Sequence, residues 1–168
     1  MKMFRIAIAA ALALVGAPAL AAGSVNQSFQ VTANTQTACR FVATNALAFG
    51  TYDPTAPADL PGSTTYQFRC SKGTTYTVTI NHGQNDGAGS VAAQPSMVST
   101  PAGDFLSYYL CADSACSTKY TNGGTIFTGT AGSNAALPAQ TIYGIVPNGQ
   151  NVGANETFLD NVTITINY

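Results

Sequence analysis

Four cysteines (Cys39, Cys70, Cys111, Cys116), one histidine (His82), one glutamate (Glu156) and six aspartates are the side chains that could do covalent, metal or acid–base chemistry. A zinc site needs thiolates or imidazoles in close register, and His82 stands alone in the turn-like "NHGQ". A redox pair would set C-x-x-C near a βαβ pattern, which is absent. No G-x-S-x-G elbow frames a nucleophilic serine, so His82 reads as a turn residue and not as a base. "NDGAG" at 85–89 lacks the repeated ligands and terminal glutamate of a calcium loop. Tyr108 and Tyr109 could form a sugar platform, but in a chain without Trp they read as core. The expectation is no enzyme, no metal and no cofactor.

Structural disulfides account better for the cysteines. Four cysteines allow three connectivities. In "CADSAC" the spacing lets Cys111 and Cys116 staple a hairpin, which leaves Cys39 with Cys70. In the chain-entropy picture the long bridge contributes about 3–4 kcal/mol and the short one about 2 kcal/mol.

Disulfides imply an oxidising compartment, and the N-terminus agrees. "MKMFRIAIAAALALVGAPALAAG" carries Lys2 and Arg5, then an apolar run from Ile6, then the small-residue exit Ala19-Leu20-Ala21. This is the layout of a secretory signal peptide spanning 1–21. Gly16 and Pro18 interrupt the run, which argues against a membrane anchor, and no later segment is apolar enough to span. From Ala22 on, four basic residues face seven acidic ones, a net charge of −3. Four scattered cations do not build the basic footprint of nucleic-acid binding.

The elements that would hold these residues read as strands. Only 8% of the chain is charged, yet 46% is hydrophobic and rich in short Val, Ile, Thr, Tyr and Phe runs, so it folds, and as β. Strands are predicted at 24–34, 46–52, 64–70, 74–81, 104–111, 140–146 and 157–168. Between them lie "DPTAPADLPGS", "SKG", "NHGQNDGAGS", "TNGG" and "VPNGQNVGAN", whose Gly, Pro, Asn and Asp supply turn geometry. Short strands at this spacing with no helix between them predict an all-β antiparallel sandwich or barrel.

Two segments stand apart. In "SVNQSFQVTAN", Val25, Gln27, Phe29, Val31 and Ala33 share one face, and no turn links them to a partner strand. In "TFLDNVTITINY", Phe158, Val162, Ile164, Ile166 and Tyr168 share another. One is a strand seeking an edge, and the other is an edge open to pairing.

"TACRFVATNALAFGTYDP" resembles the opening of the spore coat protein U family, in which a cysteine precedes L-x-FG-x-Y, here Leu47 to Tyr52. "FRCSKGTTYTVTI", "LSYYL", "IYGIVPNGQ" and "VTITINY" resemble its later landmarks. Members of the family include subunits of archaic, Csu-type chaperone–usher pili. The resemblance implies an incomplete immunoglobulin-like antiparallel β-sandwich at 37–168, completed by a donor strand from a neighbouring subunit. The donor would be the extension 22–36, with Val25, Gln27, Phe29, Val31 and Ala33 pointing into a neighbour's groove. The acceptor groove would be formed by Phe41, Leu47 and Phe49 on one side and Val162, Ile164 and Ile166 on the other. The implied partners are homologous pilin subunits, a periplasmic chaperone and an outer-membrane usher, with export through the periplasm to the cell surface. A spore-coat-type surface protein and a self-contained secreted binding module are the alternatives.

Overall fold

The computed structural model describes residues 23–100 and 102–168, so the signal peptide expected at 1–21 lies outside the described residues. Residues 23–34 belong to a unit ending at Asn34, separate from the unit Thr35–Tyr168. The strand expected at 24–34 is not formed, and Val25, Phe29 and Val31 are 99%, 86% and 81% exposed. An alternating pattern specifies which face to bury, but a strand exists only once its backbone groups are paired.

Among the described residues, Thr35–Tyr168 is all-β and antiparallel, with ten strands. One sheet has the order β1 (Cys39–Thr44), β2 (Leu60–Cys70), β8 (Gln140–Val146), β6 (Tyr109–Cys111). A second has the order β10 (Ile164–Asn167), β3 (Thr75–Ile80), β7 (Gly124–Thr130). A small third sheet joins β5 (Phe105–Ser107), β4 (Ser96–Ser99) and β9 (Phe158–Leu159). The inward side chains of β2, β3 and β8 alternate with half-exposed ones, as sandwich strands require.

At the end where β2 passes to β3 the core is aromatic and closed. Phe68 is fully buried and meets Tyr76 edge-on at 4.9 Å, while Phe127 stacks on Tyr76 at 5.9 Å. The Cys39–Cys70 disulfide ties β1 to β2 at a directly opposed pair. Cys111–Cys116 closes the loop after β6, whose Asp113 carboxylate accepts amide protons from Ala115, Ser117 and Thr118. Those bonds hold the Asp113 carboxyl below its ordinary range.

Several expected elements differ from what forms. Residues 46–52 are not a strand: β1 lies earlier, and the following segment turns inward. The stretch 104–111 splits at Tyr108 into β5 and β6, which join different sheets, and 157–168 splits into β9 and β10. β2 starts four residues before the predicted 64, inside a segment read as turn, because Gly62 pairs with Gly144 and leaves room for a ring. β4 escaped the pattern because its inward positions are Ser96 and Ser99, both buried and hydrogen-bonded. β7 was hidden by its Thr- and Gly-rich composition, "GTIFTGT". His82 lies in the loop that follows β3, outside any strand. It is buried, with Nε2 donating to the Tyr120 carbonyl and Nδ1 2.7 Å from Asp86 Oδ1.

Candidate functional site: an apolar groove between two sheet edges

β1 and β10 each end a sheet, so each has one row of backbone groups without a strand beside it. Between the chain leaving β1 and the chain entering β10 lies a groove of about 390 Å³. Leu47 and Phe49 line one wall, Val162 and Ile164 the other, and Ile80, Leu110 and Ile142 of the buried core lie at its floor. The groove therefore reaches the hydrophobic interior.

Each wall has an identifiable support. Asn45 fixes the first: its amide donates to the Thr65 carbonyl at 3.1 Å, its side chain to Thr65 Oγ1 at 2.9 Å, and its carbonyl accepts from Thr64 Oγ1 at 2.7 Å. This directs Leu47 and Phe49 over sheet one. The Phe49 ring rests on the paired glycines Gly62 and Gly144, where an added Cβ would come within 2.8 Å of it in either case. Asn81 fixes the second wall: its Oδ1 accepts from the Thr163 amide at 2.7 Å and its amide donates to the Thr163 carbonyl at 3.0 Å.

The phenol and the carboxylate at the groove are already engaged. Tyr108 packs against Phe49, ring centres 5.8 Å apart, and its hydroxyl donates to Asp160 Oδ2 at 2.7 Å. Asp160 Oδ1 accepts from the Gln84 amide at 2.9 Å. Burial raises the Tyr108 phenol above its ordinary range, and the Asp160 bond and the charges of Asp160 and Asp86 add to the effect. With its carboxylate so engaged and no cluster of three metal-ligating side chains among the described residues, the groove presents chiefly hydrocarbon and unpaired strand edges. Such a surface can take an extended peptide with alternating apolar side chains.

The groove gathers Leu47, Phe49, Val162 and Ile164 of the six expected acceptor residues. Phe41 and Ile166 do not line it. Phe41 lies opposite Phe68 on β1 and is 38% exposed, while Ile166 lies opposite Val78 on β10. Met97 and Phe158 also line the groove: sequence reasoning missed Met97 because β4 was not foreseen, and left Phe158 out of the acceptor set although it shares the apolar face of Val162 and Ile164. It also missed Gln150, buried within the "VPNGQ" turn: its Oε1 accepts from the Ser107 amide and its Nε2 donates to the Ser107 carbonyl. No periodicity marks such a residue.

An immunoglobulin-like antiparallel sandwich with an apolar groove between its two terminal edges is the class of protein that these observations define. Residues 25–165 match the Spore Coat Protein U domain, and the chain belongs to that family. It is 34% identical over 173 residues to Protein U of Myxococcus xanthus, covering 96% of this chain and 95% of that one. It is also similar in fold to a chain of the CsuC–CsuE chaperone–tip adhesion subunit pre-assembly complex, from archaic chaperone-usher Csu pili of Acinetobacter baumannii. That match has a TM-score of 0.51 at 21% identity and covers 79% of this chain but 40% of the other.

Proposed function

We propose that this chain is a structural subunit of a surface pilus, polymerising by donor-strand complementation and serving attachment and biofilm formation. The observation that carries the reading is the pairing of an apolar groove, reaching the core between β1 and β10, with an alternating N-terminal segment whose apolar residues are exposed. Val25, Gln27, Phe29, Val31 and Ala33 of one subunit enter the groove of the next, beside Leu47, Phe49, Val162 and Ile164, with Phe41 and Ile166 flanking on the two edge strands. Burying Val25, Phe29 and Val31 contributes about 1.5–3 kcal/mol each, and the two open edges accept the donor's backbone bonds. Donor and acceptor are different surfaces, so the contact is heterologous and propagates as a filament. A domain preceded by its own donor segment fits a shaft subunit. Export passes through the periplasm after removal of 1–21, with a chaperone covering the groove until an outer-membrane usher exchanges it.

Two forms of the protein test this. One is Ala22–Tyr168, and the other lacks 22–35 and carries "SVNQSFQVTAN" after Tyr168 on a flexible linker. The reading expects the second to be a stable monomer while the first polymerises or melts early. Two monomers melting alike would remove the mechanism. The 34% identity to Protein U across nearly its full length favours a second reading, a surface-coat protein assembled through the same strands. Chaperone and usher genes beside this one would favour the pilus.

A further inference from the structure

The charges of the domain are sorted between its two poles. β2 ends at Cys70 and β3 starts at Thr75, so the disulfide end of both sheets is one pole. There Thr35–Arg40 and Arg69–Thr74, with Asn134, line a cleft of about 740 Å³. It holds Arg40, Arg69 and Lys72, three of the four cations beyond residue 22, and no carboxylate side chain lines it. Arg40 and Arg69 are directly opposed across the β1–β2 ladder, where like charges repel. No carboxylate forms a salt bridge with any of the three among the described residues.

Six of the seven carboxylates collect at the other pole, while Asp113 stays in the loop after β6. Asp86 contacts His82 just beyond β3, and Asp160 accepts from Gln84 in the same loop. Asp104 follows β4, the neighbour of β9, and bonds Gly153, while Glu156 Oε2 is left without a hydrogen-bond partner. Asp53 and Asp59 precede β2 at that end of the first sheet.

We propose that the Arg40–Arg69–Lys72 cleft docks against the acidic pole of the next copy of this chain, so that charge sets the order and polarity of assembly. The inference rests on the donor-strand reading and adds a second contact to it. β1 runs away from the disulfide end and β10 toward it, so a donor between them is antiparallel to only one, and the contact proposed has it antiparallel to β10. It then leaves the neighbour at the end where Ile164 faces Ile80, the acidic pole. Thr35 follows Ala33 by two residues, at most about 7 Å of extended chain. The cleft that Thr35 helps to line is thereby brought to that pole. Opposed fields of this kind raise association rates and are screened by salt.

Three measurements on the mature chain test the contact. A labelled peptide of residues 24–34 reads groove uptake without the cleft. Chain–chain assembly is followed by light scattering at low and high salt, for the wild type and for R69E/K72E. In that variant R69E faces Arg40 and relieves a repulsion, and its melting temperature monitors folding. The expected result is assembly slowed about tenfold by salt and by the substitutions, with peptide uptake unchanged. Zero-length carbodiimide coupling of mixed isotope-labelled chains then links Lys72 of one copy to Asp86, Asp104, Glu156 or Asp160 of another. Normal peptide uptake with salt-independent assembly, or the absence of interchain Lys72 links, overturns the contact and leaves the donor-strand reading standing. No peptide uptake overturns both.

Discussion

The two ends of this sandwich are built from similar residues and differ in closure. At the disulfide end, Phe68, Tyr76 and Phe127 pack on one another and Cys39–Cys70 holds β1 against β2. At the other end, Phe49 and Tyr108 also pack ring to ring, yet the wall opposite them stands away and leaves a groove that reaches Ile80 and Ile142. The closed end contributes stability that the subunit has alone. The open end keeps an apolar groove that the domain leaves unfilled among the described residues. The difference teaches that an unfilled core in this fold is local, and that its supports, Asn45 and Asn81, are polar clamps on backbone and not packed hydrocarbon.

Substitutions at the two ends should separate these roles. Phe68→Ala, at a fully buried site, should cost about 3–5 kcal/mol in denaturant unfolding of the subunit. Phe49→Ala should cost the isolated subunit only about 1–2 kcal/mol, since the groove beside the ring is already open, and should cost more once a donor peptide is bound. Equal losses at the two positions would erase the distinction between the ends. Cys39→Ser with Cys70→Ser should remove about 3–4 kcal/mol, the share expected for a bridge of sequence separation 31. Groove uptake of the donor peptide should persist in whatever fraction of that variant remains folded, as a gel-shift would show.

Gly144→Ala sharpens the contrast further. Its Cβ would stand 2.8 Å from Phe49 Cζ, so the ring must move into the groove. The expected cost is about 1–3 kcal/mol, read as weakened peptide binding at nearly constant unfolding midpoint. A lower midpoint with unaltered binding would place Phe49 in the closed core instead.

The smallest effect is in the pH dependence. Burial, then Tyr120 and Tyr76, push the Tyr66 phenol from 10.0 up to about 12, and Tyr108 at the groove is raised as well. Unfolded phenols ionise near pH 10 while these stay neutral in the fold. Stability should be full below pH 10 and fall as pH rises toward 12. Melts of Tyr66→Phe and Tyr108→Phe across that window show which end yields first; a flat profile in the wild type contradicts both shifts.

Much of this was legible in the chain. The disulfide pairs followed from count and spacing, and β3 and β8 from alternation, because a strand buried on one face must repeat every second residue. The same alternation marked Val25 to Ala33 as a segment with a face to bury. Only the tertiary structure decided where that pattern becomes a strand. It left 24–34 unpaired, divided 104–111 at Tyr108 between two sheets, and set Leu47 and Phe49 on a wall instead of in a ladder. Ser96, Gln150 and the Gly62–Gly144 pair acquire meaning from neighbours far along the chain. Periodicity records which side of a backbone is apolar. Whether that side meets a sheet, a ring or a groove depends on contacts between residues that no local pattern connects.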